Sequence, residues 1–536
     1  MNQTIEIMDT TLRDGEQTDG VSFSGFEKKQ IARLLLEQLR VDRIEIASAR
    51  VSDGEQKVVT EIFQWAEEKG HTDRIEILGF TDHRASVDWI RDAGGRAVNL
   101  LTKGSRRHCE EQLRKSLAEH LVDVEKTISY AADQGFRVNV YLEDWSNGYL
   151  NSPDYVREML RALREMPVHR ILLPDTLGIM GPQEVKDGID DCLQHYPDLD
   201  LDFHGHNDYD LATANCMAAV RAGVKGLHMT VNGLGERAGN APLEAVVTCL
   251  HDKVGVRTNV NEKAFNDVSR LVATFSGKRV SANTPVVGQD VYTQTAGIHA
   301  DGDKKNNLYA NPILPERFGR ERVYALGKLA GRASVANNLK MLGIELSPER
   351  EKQLLARVVE LGEKKNIITA DDLPFLIEDL FGSSAIPGGT PTIRIKDAVI
   401  HTVMHGEPSA EIELEYRGTV HREKATGDGG YDAFMNALRT IAEKINLTLP
   451  VLADYELRIP PGRKTDALVQ TVITWRIPTT DGGDSEGNER AAGNWVTVGV
   501  DSDQMTAAIK ATEKMLNRLV VAEGERTPLS ASRVSG

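Results

Sequence analysis

Cysteine is scarce in this chain: four in 536 residues, at positions 109, 192, 216 and 249. No two stand close together, which excludes a disulfide framework and a cysteine-based zinc site. Long apolar runs are missing too, and nothing approaches the roughly 20 residues needed to span a bilayer. The opening residues, MNQTIEIMDT, have neither the basic stretch nor the apolar core of a secretory leader. The expectation is a cytosolic protein with no membrane contact. Positive charge is not in excess either. The formal net charge is −16, which counts against nucleic acid as a partner. Small anionic substrates remain open, because a few local basic groups override a global balance.

What is present is an ordinary globular composition, 40% hydrophobic and 27% charged, in a chain too long for one domain. Eight strand-like segments come first: IEIMDTT (5–11), RIEIAS (43–48), RIEILGF (74–80), AVNLLT (97–102), VNVYLED (138–144), RILLPDT (170–176), LDFHGH (201–206) and GLHMTVNG (226–233). Helical patterns such as FEKKQIARLLLEQL separate them. This alternation implies parallel strands, and eight units in about 250 residues fit an α/β fold of the (β/α)8 barrel type. A doubly wound sheet is the alternative. Polar residues gather at the strand ends, as RDGEQ, YLED, PDT, HGHND and NGLGERAGN. That is where such barrels carry their active sites.

The barrel is expected over 1–260 and a helical linker subdomain over 261–385, with the polar, glycine-containing segment TAGIHADGDKKNNLYANP inside it. A linker at 382–392 leads to a duplicated α+β module over 390–523, two units of three strands and a helix about 70 residues apart. The insertion at 479–494 and the tail at 524–536 read as flexible.

The strongest chemical signal is HGHND, residues 204–208. His204 and His206 alternate along a strand and so face one side, which makes a divalent-metal pair. The competing account is two rim histidines bonded to their neighbours. An ion on two imidazoles needs oxygen donors. Asp14 follows strand 1, which neighbours strand 8 in a closed barrel, and Asn240 follows strand 8. This mixed set suits Zn, Mn or Mg. Arg13, beside Asp14, is fitted to clamp a carboxylate or stabilise an enolate, unless it only pairs with Glu16 or Glu236. Glu143 is a candidate acid, base or orienting carboxylate, and Thr176 a candidate donor to a substrate carboxylate.

DTTLRDGEQ, HGHNDYDLATANCMAAVRAGV and NGLGERAGNAPLE together resemble the signatures of the acetyl-CoA-dependent 2-oxoacid condensing enzymes, the family of 2-isopropylmalate, homocitrate and citramalate synthases. The resemblance covers essentially the whole chain. It implies metal ligation by Asp14, His204, His206 and Asn240, and contact of Arg13 with the oxoacid or enolate. It places Glu143 and Thr176 in the substrate site. GIHADG resembles the family segment that lends a histidine and a tyrosine, here His299 and Tyr309, to catalysis, in some cases from a neighbouring subunit, so a homodimer is implied. The C-terminal module resembles the family's allosteric domain, which binds leucine or isoleucine.

Within the family, a cysteine after strand 8 marks many lyases, and GLGERAGN has none. Homocitrate formation needs a cationic pocket for a second carboxylate. Here Leu78, Leu101 and Tyr141 end strands 3, 4 and 5; as pocket walls rather than core, they would fill the space of an isopropyl group. Pyruvate is therefore the expected oxoacid, ahead of 2-oxoisovalerate, with acetyl-CoA as co-substrate and isoleucine, ahead of leucine, as effector. GDGGYDA (427–433) opens onto a helix N-terminus, which favours a carboxylate. Tyr431, Asp432, Tyr455 and Ile459 are the candidate effector contacts, unless the module only dimerises. A barrel without catalytic activity that only binds amino acids is the non-enzyme alternative.

Overall fold

Eight parallel strands close on themselves in chain order in the computed structural model: β1 (Glu6–Asp9), β2 (Arg43–Ser48), β3 (Ile75–Phe80), β4 (Ala97–Lys103), β5 (Arg137–Glu143), β6 (Arg170–Asp175), β7 (Leu201–Gly205) and β8 (Gly226–Met229). The structure describes residues 4–295, 308, 311–342, 344–363, 368–381, 393–402, 404–458, 469–476 and 494–526. Closure is made by β1 against β8, with Glu6 opposite Gly226 and Asp9 opposite Met229. The barrel, not the doubly wound sheet, is the fold.

Two strands end more than one residue sooner than their sequence pattern predicts. β1 stops at Asp9 because the Thr10 carbonyl then accepts from the backbone N–H groups of Arg13, Asp14 and Gly15, at 3.1, 2.8 and 3.1 Å. β8 stops at Met229, and Val231–Gly233 make a tight turn with Asn232 at a left-handed φ of 59°. The buried Glu244 carboxylate accepts the Asn232 N–H at 3.2 Å and supports that conformation.

The strands alternate, but not in the sense of a half-solvated sheet. Ile44, Ile46, Ile75, Ile77, Val138, Val140 and Ile171 face outward into the large core shared with the surrounding helices. Helices Gly25–Arg33 and Leu117–Asp133 start at capping boxes, Ser24 with Glu27 and Ser116 with Glu119. The inward residues are largely polar. At the N-terminal end of the barrel, Arg43 donates to both Glu76 oxygens at 3.2 Å and also pairs with Asp202. Arg170 donates to Asp202 and to Glu6 at 2.8 Å, and Arg137 to Glu76 at 3.2 Å.

Two compact units are present, Met1–Tyr292 with Ala310–Arg322, and Thr293–Tyr309 with Val323–Gly536. In the first, helix Phe265–Ser276 adds Phe265, Val268 and Val272 to the barrel core. In the second, helices Arg332–Met341, Pro348–Glu363 and Leu373–Phe381 share a small apolar cluster. The duplication is explicit. Strands Arg394–His401, Ser409–Tyr416 and Thr419–Thr426 form one antiparallel sheet, followed by helix Gly430–Lys444. Strands Val451–Arg458, Val469–Arg476 and Asn494–Asp501 form the other, followed by helix Gln504–Arg526. That last helix runs three residues into the stretch expected to be a flexible tail. The expected linker at 382–392 and the insertion up to residue 493 lie outside the described residues. Among those described, no helix is long and apolar enough to cross a membrane.

Candidate active site and metal centre

Asp14, His204 and His206 meet at the C-terminal mouth of the barrel, each buried, with ligand-capable atoms close enough to share one ion. Asp14 Oδ2 lies 3.0 Å from His204 Nε2, 4.0 Å from His206 Nε2 and 3.4 Å from Arg13 Nη1. It has a properly aligned hydrogen bond to none of them. Burial alone would push the Asp14 carboxyl up, but Arg13 beside it, with His204 and His206, holds it well below the usual carboxylate range. Burial brings the His206 imidazole down to about 4, so it is neutral near pH 7 with a lone pair to give.

Asn240 stands opposite His206 across a backbone bridge. Its Nδ2 donates to the Leu234 carbonyl at 3.2 Å, which leaves the buried Oδ1 without a hydrogen-bond partner. Gly239 makes this placement work. Its φ of +91° is left-handed, and a Cβ there would sit 2.0 Å from the Gly233 carbonyl oxygen. Buried carboxylate and amide oxygens left without partners are costly in a folded protein. A divalent cation would satisfy both at once, and a neutral-histidine, carboxylate and amide set suits Zn, Mn or Mg.

Arg13 reaches the same mouth. Its Nε donates to Glu45 Oε2 at 2.5 Å, and its Nη2 lies 3.4 Å from the Tyr141 hydroxyl. Burial works against its charge, but Asp14 and Glu45 outweigh it and raise its pKa further. The alternative, a pairing of Arg13 with Glu16 or Glu236, is not among the described contacts, where Glu16 pairs with Lys28 and Glu236 with Arg237. Glu143 ends β5 in an ion pair with Lys103. Thr176 faces the same end of the barrel; its Oγ1 accepts from the Asp144 N–H at 2.9 Å.

Leu78 and Tyr141 belong to a small apolar cluster with Met8 and Leu172, separate from the main core, with Leu101 packed against it. The edge of the Tyr141 ring approaches His204, centroids 6.1 Å apart. In the C-terminal module, Tyr431 and Tyr455 meet with ring centroids 5.2 Å apart, and the Tyr431 hydroxyl bonds Thr512 Oγ1 at 2.7 Å. Asp432 accepts from the Asp428 N–H at 3.1 Å, at the head of its helix. An open groove of about 840 Å³ passes both Tyr431 and Asp432. His299, Tyr309 and Ile459 lie outside the described residues.

Glu45, Lys103, Asn99 and His228 carry no motif that marks them in the sequence. Asn99 donates to Glu45 at 2.7 Å and accepts from Asn139 at 2.8 Å, which steadies the carboxylate that holds Arg13. The available signal was a glutamate in the middle of the apolar RIEIAS.

Comparison with known proteins adds three domain matches. Residues 4–272 match the HMGL-like family, 286–366 the homocitrate synthase post-HMGL domain-like family, and 367–520 the LeuA allosteric (dimerisation) domain. A Methanopyrus kandleri protein named "Putative (R)-citramalate synthase CimA" is 34% identical over 477 residues, 89% of this chain and 91% of that one. The (R)-citramalate synthase CimA of Methanocaldococcus jannaschii is 33% identical over 482 residues, covering 89% and 94%. The 2-isopropylmalate synthase of the same organism is 33% identical over 477 residues, covering 88% of each.

Proposed function

The chain belongs to the HMGL-like family, among its acetyl-CoA-dependent condensing synthases, and from that premise we propose that it is an (R)-citramalate synthase. The reaction joins the methyl carbon of acetyl-CoA to the 2-oxo carbon of pyruvate. Hydrolysis of the thioester then gives citramalate and CoA, a step toward isoleucine.

The observation that carries the choice of oxoacid is the apolar cluster of Met8, Leu78, Tyr141 and Leu172, with Leu101 against it, next to Arg13 and His204. Its large side chains leave room for a methyl group better than for an isopropyl group. A methylene or two in such a pocket is worth about 1–3 kcal/mol each. The alternative is 2-isopropylmalate synthase, favoured by relatives of that name at the same level of identity. Steady-state kinetics with pyruvate and with 2-oxoisovalerate decide between them; a kcat/KM preference for 2-oxoisovalerate would sink the citramalate assignment.

In this reading Asp14, His204, His206 and Asn240 hold a divalent ion, Zn, Mn or Mg. When bound, the ion polarises the 2-oxo carbonyl as a Lewis acid. Arg13, fixed by Glu45, holds its positive charge where the oxoacid carboxylate or the developing oxyanion lies. Thr176 still has its O–H to donate to the substrate carboxylate. Glu143, with His299 and Tyr309, is assigned to moving the proton from the acetyl methyl group, and Lys103 is ion-paired with the Glu143 carboxylate.

The C-terminal module is assigned to homodimer formation and to feedback by isoleucine, with leucine as the alternative. Tyr431, Asp432, Tyr455 and Ile459 are the proposed contacts, supported by the meeting of Tyr431 with Tyr455 beside the groove. Titrating activity with each amino acid tests this. No response to either would leave the module a dimerisation platform.

A further inference from the structure

A buried line of polar side chains joins the ionic end of the barrel to its chemical end. Asp202, His228 and Tyr141 are 0%, 0% and 3% exposed. The Asp202 carboxylate can only accept, so His228 Nε2 donates to it, at 3.2 Å. A neutral imidazole that donates at Nε2 has its lone pair at Nδ1. The Tyr141 hydroxyl, 2.9 Å from that Nδ1, must therefore donate inward to it. The phenol oxygen is left as an acceptor on its other side, where Arg13 Nη2 lies 3.4 Å away.

Each link is supported by its neighbours. Burial alone would raise the Asp202 carboxyl, but Arg43, His228 and Arg170 hold it well below the usual range. Arg13 can only donate, so among the described contacts His228 Nδ1 is the acceptor open to the buried Tyr141 O–H. Tyr141 is an apolar wall through its ring and a hydrogen-bonding group through its oxygen, and both are aligned by one bond to His228.

We propose that His228 is a positioning residue for the oxoacid pocket: by taking the Tyr141 proton inward it locks the phenol ring against Leu101 and turns the oxygen to Arg13. The size of side chain the pocket admits is then set by a residue that does not line it. This rests on reading Leu78, Leu101 and Tyr141 as the wall of the oxoacid pocket. A buried histidine that merely satisfies its own hydrogen bonds is the competing account.

Two substitutions separate the accounts. His228→Gln keeps a donor for Asp202 and withdraws the acceptor from Tyr141. His228→Asn places an amide oxygen near the Nδ1 position and restores that acceptor. The readout is the ratio of kcat/KM for pyruvate to that for 2-oxoisovalerate, with purified full-length protein. In His228→Gln the ratio falls about tenfold, mainly through a higher KM for pyruvate, and His228→Asn recovers most of it. Tyr141→Phe shows a comparable fall, and adding His228→Gln to it changes the ratio no further. An unchanged ratio in His228→Gln, or full additivity in the double variant, overturns the proposal.

A wild-type preference for 2-oxoisovalerate would refute the pyruvate reading, but the same shift of the ratio would still be required. A substrate-free measurement keeps the two fully apart. With 15N-histidine labelling, one imidazole should be pinned as the Nε2–H tautomer, and its Nδ1 resonance should move in Tyr141→Phe. If it does not move, the relay is refuted whatever the enzyme turns over.

Discussion

The two ends of the barrel interior are built from the same kinds of residue to opposite effect. At the N-terminal end, Glu6, Glu76 and Asp202 are matched against Arg43, Arg137 and Arg170, so that every buried charge faces an opposite one. At the C-terminal end, Asp14 Oδ2 and Asn240 Oδ1 are buried and left without hydrogen-bond partners. The difference teaches where to look for function. Among the charged groups at the N-terminal end, the atoms without a hydrogen-bond partner are the Nε donors of guanidinium groups already paired with carboxylates, whereas at the C-terminal end Asp14 Oδ2 and Asn240 Oδ1 are acceptors, and buried acceptors without donors suit a cation.

Breaking the open end should cost chemistry and little stability. His204→Ala should lower kcat by about a thousandfold or more, since the ion's stabilisation of the transition state is worth several kcal/mol. Bound metal, measured by mass spectrometry, should fall in parallel, and retained turnover would remove His204 from the ligand set. Breaking the closed end should do the reverse. Glu76→Gln leaves Arg43 and Arg137 facing a neutral amide, and urea unfolding should show a loss of about 3 kcal/mol. Metal content should be unchanged; a variant that loses metal but not stability would show that the two ends are not independent.

His228 lies between the ends and should make stability depend on pH. Its folded pKa, about 4, is below the ordinary 6.5. Between those values the unfolded chain takes up a proton that the folded chain refuses. Its contribution is therefore complete above about pH 6.5 and lost as pH falls toward 4, an effect on the order of 3 kcal/mol. Urea midpoints measured across this window should slope less steeply in His228→Asn than in the wild type, and parallel slopes would count against the depressed pKa. The smallest effect is expected outside the barrel interior. Ser24→Ala removes a helix cap and should cost about 1 kcal/mol without touching metal content or turnover.

Much of this was legible in the sequence, for reasons that also set its limits. His204 and His206 stand out because two imidazoles at alternate positions have few structural uses, and Asp14 follows once strands 1 and 8 are neighbours. The polar lining was harder to see. In RIEIAS, Arg43 and Glu45 alternate with Ile44 and Ile46, the pattern of a sheet with one face in water. Barrel closure reverses the assignment: the isoleucines meet the helices and the charged residues line the axis. His228 was hidden by the same effect, since LHM gives no sign that its histidine connects strands 5 and 7. The turns after β1 and β8 were misread as strand because the bonds that end them come from Thr10 and from the distant Glu244.

The Thr10 carbonyl gathers the N–H groups of Arg13, Asp14 and Gly15, so main-chain atoms set the backbone from which Arg13 and Asp14 project, and Glu45 then fixes the Arg13 guanidinium. Backbone bonds are indifferent to which residues surround them. In the proposed function Leu78, Leu101 and Tyr141 act through shape instead, on strands that make no part of that turn. In that reading the groups for chemistry and the groups for substrate range sit on different segments of the chain, so a wall residue can be exchanged while the turn after β1 keeps its backbone.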